Sequence, residues 1–243
     1  MKLLIDIGNT MVKCGLDEKD DVKLLFRIPS IDINKSFLEE TKKHIDIKDI
    51  TEVVISSVVP NRTEELKAVF KDKKVRVVSP VDESGVEIKI DNPKELGTDL
   101  LCDLAGAKKR YGNNVLVLDL GTATKFLYLD DNGVFSSCAI TPGIRMALGM
   151  MFNGTALLPD IDISKPKKVL DCHNTEDVLS SSAYYSHVDT LNGMVKRYIK
   201  EIGHDVKVVM TGGNSSFFEE TLDFKFILDD NLCLYGLKVI SEF

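Results

Sequence analysis

Two stretches of this chain repeat one design, and that repeat limits the possible fold more than any other feature. Near the start, Leu3-Leu4-Ile5-Asp6-Ile7-Gly8-Asn9-Thr10 is an apolar run closed by an acid, a glycine and two small polar residues. A second strand-like stretch carrying Lys13 follows it. Half a chain later, Val115-Leu116-Val117-Leu118-Asp119-Leu120-Gly121-Thr122-Ala123-Thr124 does the same, again ahead of a strand-like run. Self-similarity at this distance predicts two domains of one fold type, each opening on a strand–turn–strand unit. In the first turn, Gly8 permits positive φ and close approach of another group to the backbone. Asn9 and Thr10 favour the turn and add side-chain donors. Asp6 suits Mg²⁺, directly or through water, and Lys13 suits a phosphate as a point charge. Alone, the first turn reads more often as an ordinary hairpin than as a phosphate loop; the second copy reverses that order.

The 243 residues are enough for two modest domains, each with its own core. A net charge of −7 argues against a general binder of nucleic acid or of acidic membranes, though not against a small anion held by a local field. The five cysteines, Cys14, Cys102, Cys138, Cys172 and Cys233, form no Cys-x-x-Cys pair and are odd in number. They read as free thiols of a cytoplasmic protein. The four histidines, His44, His173, His187 and His204, lack zinc-site spacing. The N-terminus enters a strand containing Asp6 and is no signal peptide, and no apolar run reaches membrane-spanning length.

Residues 2–8, 11–16 and 22–28 read as three strands, followed by a helix over 34–45. A buried strand at 53–59 leads to a helix that opens on Pro60, and then to a strand at 75–78. Residues 86–96 read as irregular or edge-like because of Pro93. A helix entered after Gly97 takes Thr98 as its N-cap and carries Asp99 and Asp103 on one face. For Asp99 the plain reading is an acid complementing the helix dipole. The second half repeats three strands at 115–120, 123–129 and 134–140. A helix through Met151 follows, closed by Thr155–Pro159. A long helix from Asn174 to about Ile202, strands at 206–210 and 224–228, and a last helix from about Asn231 complete the chain.

The order βββαβαβ resembles the ribonuclease-H-like domain of the actin, sugar-kinase and Hsp70 superfamily of ATP-binding proteins. That resemblance implies an α/β fold of two ribonuclease-H-like (actin-like ATPase) domains in tandem, residues 1–113 and 114–243. Each would be a mixed five-stranded sheet with helices on both faces, and the two turns would grip a nucleotide's phosphates across a cleft. The motifs together are similar to those of the type III pantothenate kinases: Asp6 to Thr10 with Lys13, Ser56-Ser57-Val58-Val59-Pro60, Gly97-Thr98-Asp99, Asp119 to Ala123, Ile140-Thr141-Pro142-Gly143, Thr155 to Pro159, Asn174-Thr175 and Thr211-Gly212-Gly213. They stand in the family's order along nearly the whole chain.

The resemblance implies the following roles. Asp6 holds Mg²⁺ on the ATP phosphates, and Gly8, Asn9, Thr10 and Lys13 cradle the β- and γ-phosphates. Gly121, Thr122 and Ala123 form the opposing loop, and Asp119 holds a monovalent cation, K⁺ or NH₄⁺. Gly212 and Gly213 lie against the adenosine. Asp99 is the general base for the pantothenate hydroxyl, with Gly97, Thr98 and Leu100 around it. Thr175 binds substrate across a homodimer interface. The implied function is ATP-dependent phosphorylation of pantothenate, which opens coenzyme A biosynthesis.

Several positions depart from the family pattern. Leu100 stands where the family has an arginine, which removes a hydrogen-bonding clamp. Lys125 stands in place of a threonine, Ser137-Cys138 in place of Gly-Gly, and Cys172 and Ser182 in place of glycines. The departures cluster on the acceptor side. They leave two alternatives open: a catalytically weakened nucleotide- or pantothenate-binding accessory protein, or a kinase of another small alcohol.

Overall fold

The computed structural model describes residues 1–153, 163 and 166–243. The Thr155–Pro159 motif therefore lies outside the described residues. Strands β1 (Lys2–Ile7), β2 (Met11–Asp17) and β3 (Val22–Pro29) precede helix α1 (Ile33–His44). Then come β4 (Glu52–Ser57), α2 (Pro60–Val69), β5 (Lys74–Val77), a two-residue strand β6 (Glu87–Ile88) and α3 (Thr98–Tyr111). The second series is β7 (Val115–Leu120), β8 (Ala123–Leu129), β9 (Val134–Pro142), α4 (Ile144–Asn153), α5 (Thr175–Ile202), β10 (Lys207–Thr211), β11 (Ile227–Leu228) and α6 (Leu232–Ile240).

The first sheet has five strands in the order β3-β2-β1-β4-β5. The second runs β11-β10-β7-β8-β9-β6. Without β6, the second order read from β9 is third-second-first-fourth-fifth, the same as the first, so the sequence repeat is a repeat of topology. The expected five strands become six in the second sheet because Glu87–Ile88 pairs in parallel with Val134–Phe135 at its edge.

Two compact units emerge: residues 1–117 with 127–137 and 229–243, and residues 118–126 with 138–228. In the first unit, period-two alternation assigns the faces of the sheet. Leu3, Ile5 and Ile7 of β1, with Val53 and Ile55 of β4, pack against Ile33 and Phe37 of α1, Leu66 of α2 and Phe70 just beyond it in one apolar cluster. The other face of β1 carries Leu4 and Asp6, and α3 and α6 cover that side. Gly15, in register with Leu4, lies against Leu234 of α6.

In the second unit α5 lies on β8. The Tyr198 hydroxyl donates to the Phe126 carbonyl at 3.2 Å, and the two rings stack. Asn174 caps α5 by accepting from the Asp177 N–H at 2.8 Å, and Gly203 ends it at φ 86°. No helix among the described residues is long and apolar enough to cross a membrane.

Candidate functional site

In the first unit three adjacent strands line up one residue each. Asp6 of β1 is in register with Lys13 of β2 on one side and Ser56 of β4 on the other. Residues in register share a face of a sheet, with Cβ atoms of a directly opposed antiparallel pair about 5 Å apart. Lysine, aspartate and serine therefore form a polar row on the face that α3 covers. Asp6 is 8% exposed, while Asn9 and Thr10 at the loop's apex face solvent.

Helix α3 is tied to this row by its first residue. Thr98 Oγ1 accepts from the Ser57 N–H at 3.1 Å and donates to the Ser57 carbonyl at 3.1 Å, and it lies 3.2 Å from Ser56 Oγ. This corrects the expected N-cap: Gly97 takes that position, and the Thr98 hydroxyl anchors the helix to β4 instead of capping it. Asp99, next in the chain, is half-buried, with its carboxylate folded over Gly97. Leu100 is buried at 7% exposure, so its side chain packs where the family pattern has a charged group. Farther along α3, burial pushes the Cys102 thiol up, and the negative charges of Asp6 and Asp103 add to the shift. The Cys233 thiol of α6 is raised further, chiefly by its hydrogen bond with Cys102 and then by burial. Neither thiol serves as a nucleophile at neutral pH.

Gly8, although free to take positive φ, does not use it. Among the described glycines that conformation belongs to Gly85, Gly112, Gly133, Gly203 and Gly212 only. Gly8 instead closes the loop tightly: its N–H donates to the Met11 carbonyl at 3.0 Å, and a Cβ would sit 3.1 Å from that oxygen. Ser30 clamps the loop from the end of β3. Its hydroxyl donates to the Gly8 carbonyl at 2.6 Å and its N–H to the Thr10 carbonyl at 2.9 Å. Nothing in the local sequence shows that β3 returns alongside the loop.

The second loop, in the second unit, is held from within and from two flanking turns. The Gly121 N–H donates to the Ala123 carbonyl at 3.1 Å. The Gly143 N–H donates to the Thr122 carbonyl at 3.1 Å. Asn214 donates twice, through its N–H to the Leu120 carbonyl and through Nδ2 to the Gly121 carbonyl, both at 2.9 Å. Thr122 is exposed at the tip. Gly212 has φ 98° and passes so close to Leu120 that a Cβ would lie 2.6 Å from that residue's backbone, whereas nothing lies within 4 Å of a Cβ at Gly213. Gly212 thus serves the loop's own packing, and Gly213 is the glycine with open space. Asn214 was not singled out beforehand, although it follows the Gly-Gly pair directly.

Asp119 and Lys125, on β7 and β8, form an ion pair with Nζ 2.6 Å from Oδ2. Thr175 is the first residue of α5 and is exposed. On the α5 side of β8, Thr124 Oγ1 lies 3.1 Å from His187 Nε2, and burial lowers the His187 pKa below 6.5. Well above pH 6.5 the ring is neutral whether folded or not. Below it the unfolded chain takes the proton first, so stability falls as pH drops towards the lowered folded value. His187→Gln is expected to flatten that part of a melting-temperature profile between pH 7 and 5; an unchanged slope would assign it to other groups.

The chain matches the family model described as type III pantothenate kinase over residues 2–197. It is 35% identical over 248 residues to the type III pantothenate kinase of Acholeplasma laidlawii, covering 100% of this chain and 98% of that protein. Against the enzyme of Brevibacillus brevis the identity is 34% over 253 residues, with 100% and 98% covered. Among solved structures it resembles one titled a conserved putative Baf family transcriptional activator from Campylobacter jejuni, at TM-score 0.61, 19% identity and coverage of 99% and 97%. It also resembles the ethanolamine utilization protein EutJ from Carboxydothermus hydrogenoformans, at TM-score 0.56, 12% identity and coverage of 98% and 89%. These likenesses show the fold, and the family match with full-length relatives above 30% identity shows the rest: the chain belongs to the type III pantothenate kinase family.

Proposed function

We propose that this protein transfers the γ-phosphate of ATP to the primary hydroxyl of pantothenate, giving 4′-phosphopantothenate for coenzyme A biosynthesis. Family membership supplies the reaction. The observation in the fold that carries it is the Lys13–Asp6–Ser56 row, with the start of α3, and hence Asp99, hydrogen-bonded to its end. Phosphoryl transfer depends on positioning and charge neutralisation more than on covalent chemistry. Mg²⁺ keeps several waters and binds through one or two carboxylates plus phosphates, so a single Asp6 beside an open loop fits it. Bound there with ATP, the ion would neutralise charge on the phosphates. Lys13 and the backbone of Gly8, Asn9 and Thr10 would orient the phosphates, and Gly121, Thr122 and Ala123 would supply the second loop. Gly213 leaves room for the adenosine.

Asp99 would accept the hydroxyl proton. Gly97 is part of that device, because the Asp99 carboxylate occupies the space a methyl at 97 would fill. Gly97 has φ −62° and ψ 139°, which alanine adopts without strain. Gly97→Ala is therefore expected to redirect the carboxylate, lowering kcat while leaving the melting temperature nearly unchanged. Unchanged kcat would detach Gly97 from the site.

In this reading the halves 1–113 and 114–243 each contribute one loop, the protein works in the cytoplasm, and two copies pair so that the exposed Thr175 reaches a neighbour's substrate. Sedimentation equilibrium tests the pairing. Incubation with ATP, Mg²⁺ and pantothenate, with mass-spectrometric detection of 4′-phosphopantothenate, tests the reaction; ATP binding without that product would defeat it.

A further inference from the structure

The family resemblance implies a monovalent cation at Asp119, and the residues here do not fit one. The carboxylate already takes the Lys125 ammonium at 2.6 Å, and the two side chains are only 13% and 16% exposed. A Cβ on Gly121 would lie 3.6 Å from Asp119 Oδ1, so the carboxylate sits directly beneath the loop. The carbonyls that could complete an ion's shell are also engaged. Those of Leu120, Gly121, Thr122 and Ala123 accept, in turn, from Asn214 N, Asn214 Nδ2, Gly143 N and Gly121 N. Each of these oxygens thus already has a protein donor on one of its two lone pairs, and the carboxylate already has a cation.

We propose that Lys125 is a covalently attached replacement for the monovalent cation, so that this kinase requires neither K⁺ nor NH₄⁺. A lysine head group is an alkylated ammonium ion, with the single positive charge of K⁺ on a compact centre. Burying such a pair costs desolvation that mutual attraction alone barely offsets, and this pair, neutral as a whole, fixes its ammonium where a cation bound to Asp119 would lie. Lys125 projects from the face of β8 opposite to Thr124 and Phe126, which contact α5, so it is not part of that packing. A purely structural pair would stabilise the hairpin without regard to which salt is present; a cation replacement makes its variant ion-selective.

This inference rests on the kinase reading, and the test separates the two. Rates and calorimetric Mg·ATP affinities are measured for the protein and for Lys125→Thr in choline, sodium, potassium and ammonium chloride at one ionic strength. The unaltered protein is expected to give the same rate and ATP affinity in all four salts. Lys125→Thr is expected to lose roughly tenfold or more in choline or sodium, because the Asp119 carboxylate under the loop is left without its counter-charge, and to recover in potassium or ammonium. Stimulation of the unaltered protein by K⁺ or NH₄⁺ would overturn the inference and leave the kinase reading standing. So would a Lys125→Thr variant equally impaired in every salt. Salt-independent ATP binding by the unaltered protein, with potassium-dependent binding by the variant and no product in either, would uphold the inference and defeat the kinase reading.

Discussion

Asp99→Asn is expected to lower kcat for pantothenate by about 10²–10⁴-fold, the usual contribution of a positioned general base. The change keeps the shape of the side chain and removes only its ability to accept a proton as a carboxylate. Asp99 also stands in the first turn of α3, where a negative charge complements the helix dipole. That role alone is worth about 0.3–1 kcal/mol, so losing it would barely move the melting temperature and would not touch kcat. The two roles therefore separate in one pair of measurements. ATP affinity should persist, because Asp6, Lys13 and the first loop belong to β1 and β2. A variant with intact kcat and slightly reduced stability would return Asp99 to a dipole-complementing role.

Gly236→Ala is expected to cost about 3 kcal/mol or more, at the upper end of overpacking penalties. Helices α3 and α6 touch backbone to backbone here: a Cβ on Gly236 would overlap the Cys102 carbonyl, and one on Gly106 would lie 2.7 Å from the Leu232 carbonyl. Main chain in the middle of a helix cannot move aside as a side chain can. The helices would have to separate, opening the contacts of Leu101, Leu104, Leu232 and Leu234, all at most 0% exposed. For a chain of this size such a loss lowers the melting temperature by roughly 6–12 °C. Gly193→Ala is the control. It is exposed in α5 with nothing within 4 Å of a new Cβ, and is expected to add about 0.5–1 kcal/mol. Equal melting temperatures for the two variants would refute the close packing of α3 on α6.

Much of the architecture was legible because it is local. The alternation of Leu3, Ile5 and Ile7 with Leu4 and Asp6 marks a strand with two differently used faces, and the Asp-x-Gly turns announce both loops. The helix starts at Pro60 and Asn174 follow from capping chemistry. What escaped is what depends on a distant partner. Ser30 gave no sign that it hydrogen-bonds Gly8 and Thr10, and Asn214 none that it holds Leu120 and Gly121. Thr98 has the composition of an N-cap, yet its hydroxyl is drawn to Ser57 by tertiary contact. Gly236 reads as a weak point in a helix until Cys102 is seen against it. Lys125 stood out as a departure from the family pattern, but its meaning depended on finding Asp119 at its head group.

The placement of α6 has a consequence for biosynthesis. Leu232, Leu234, Leu237 and Ile240 have no exposed surface, and their helix belongs to the compact unit begun by β1. During translation, Asp6 and its neighbours leave the ribosome more than two hundred residues ahead of the helix that covers them. Until then the Leu4 and Asp6 side of the nascent sheet lacks part of its covering, so the opening strands must wait, or be sheltered by a chaperone, while the intervening polypeptide is made.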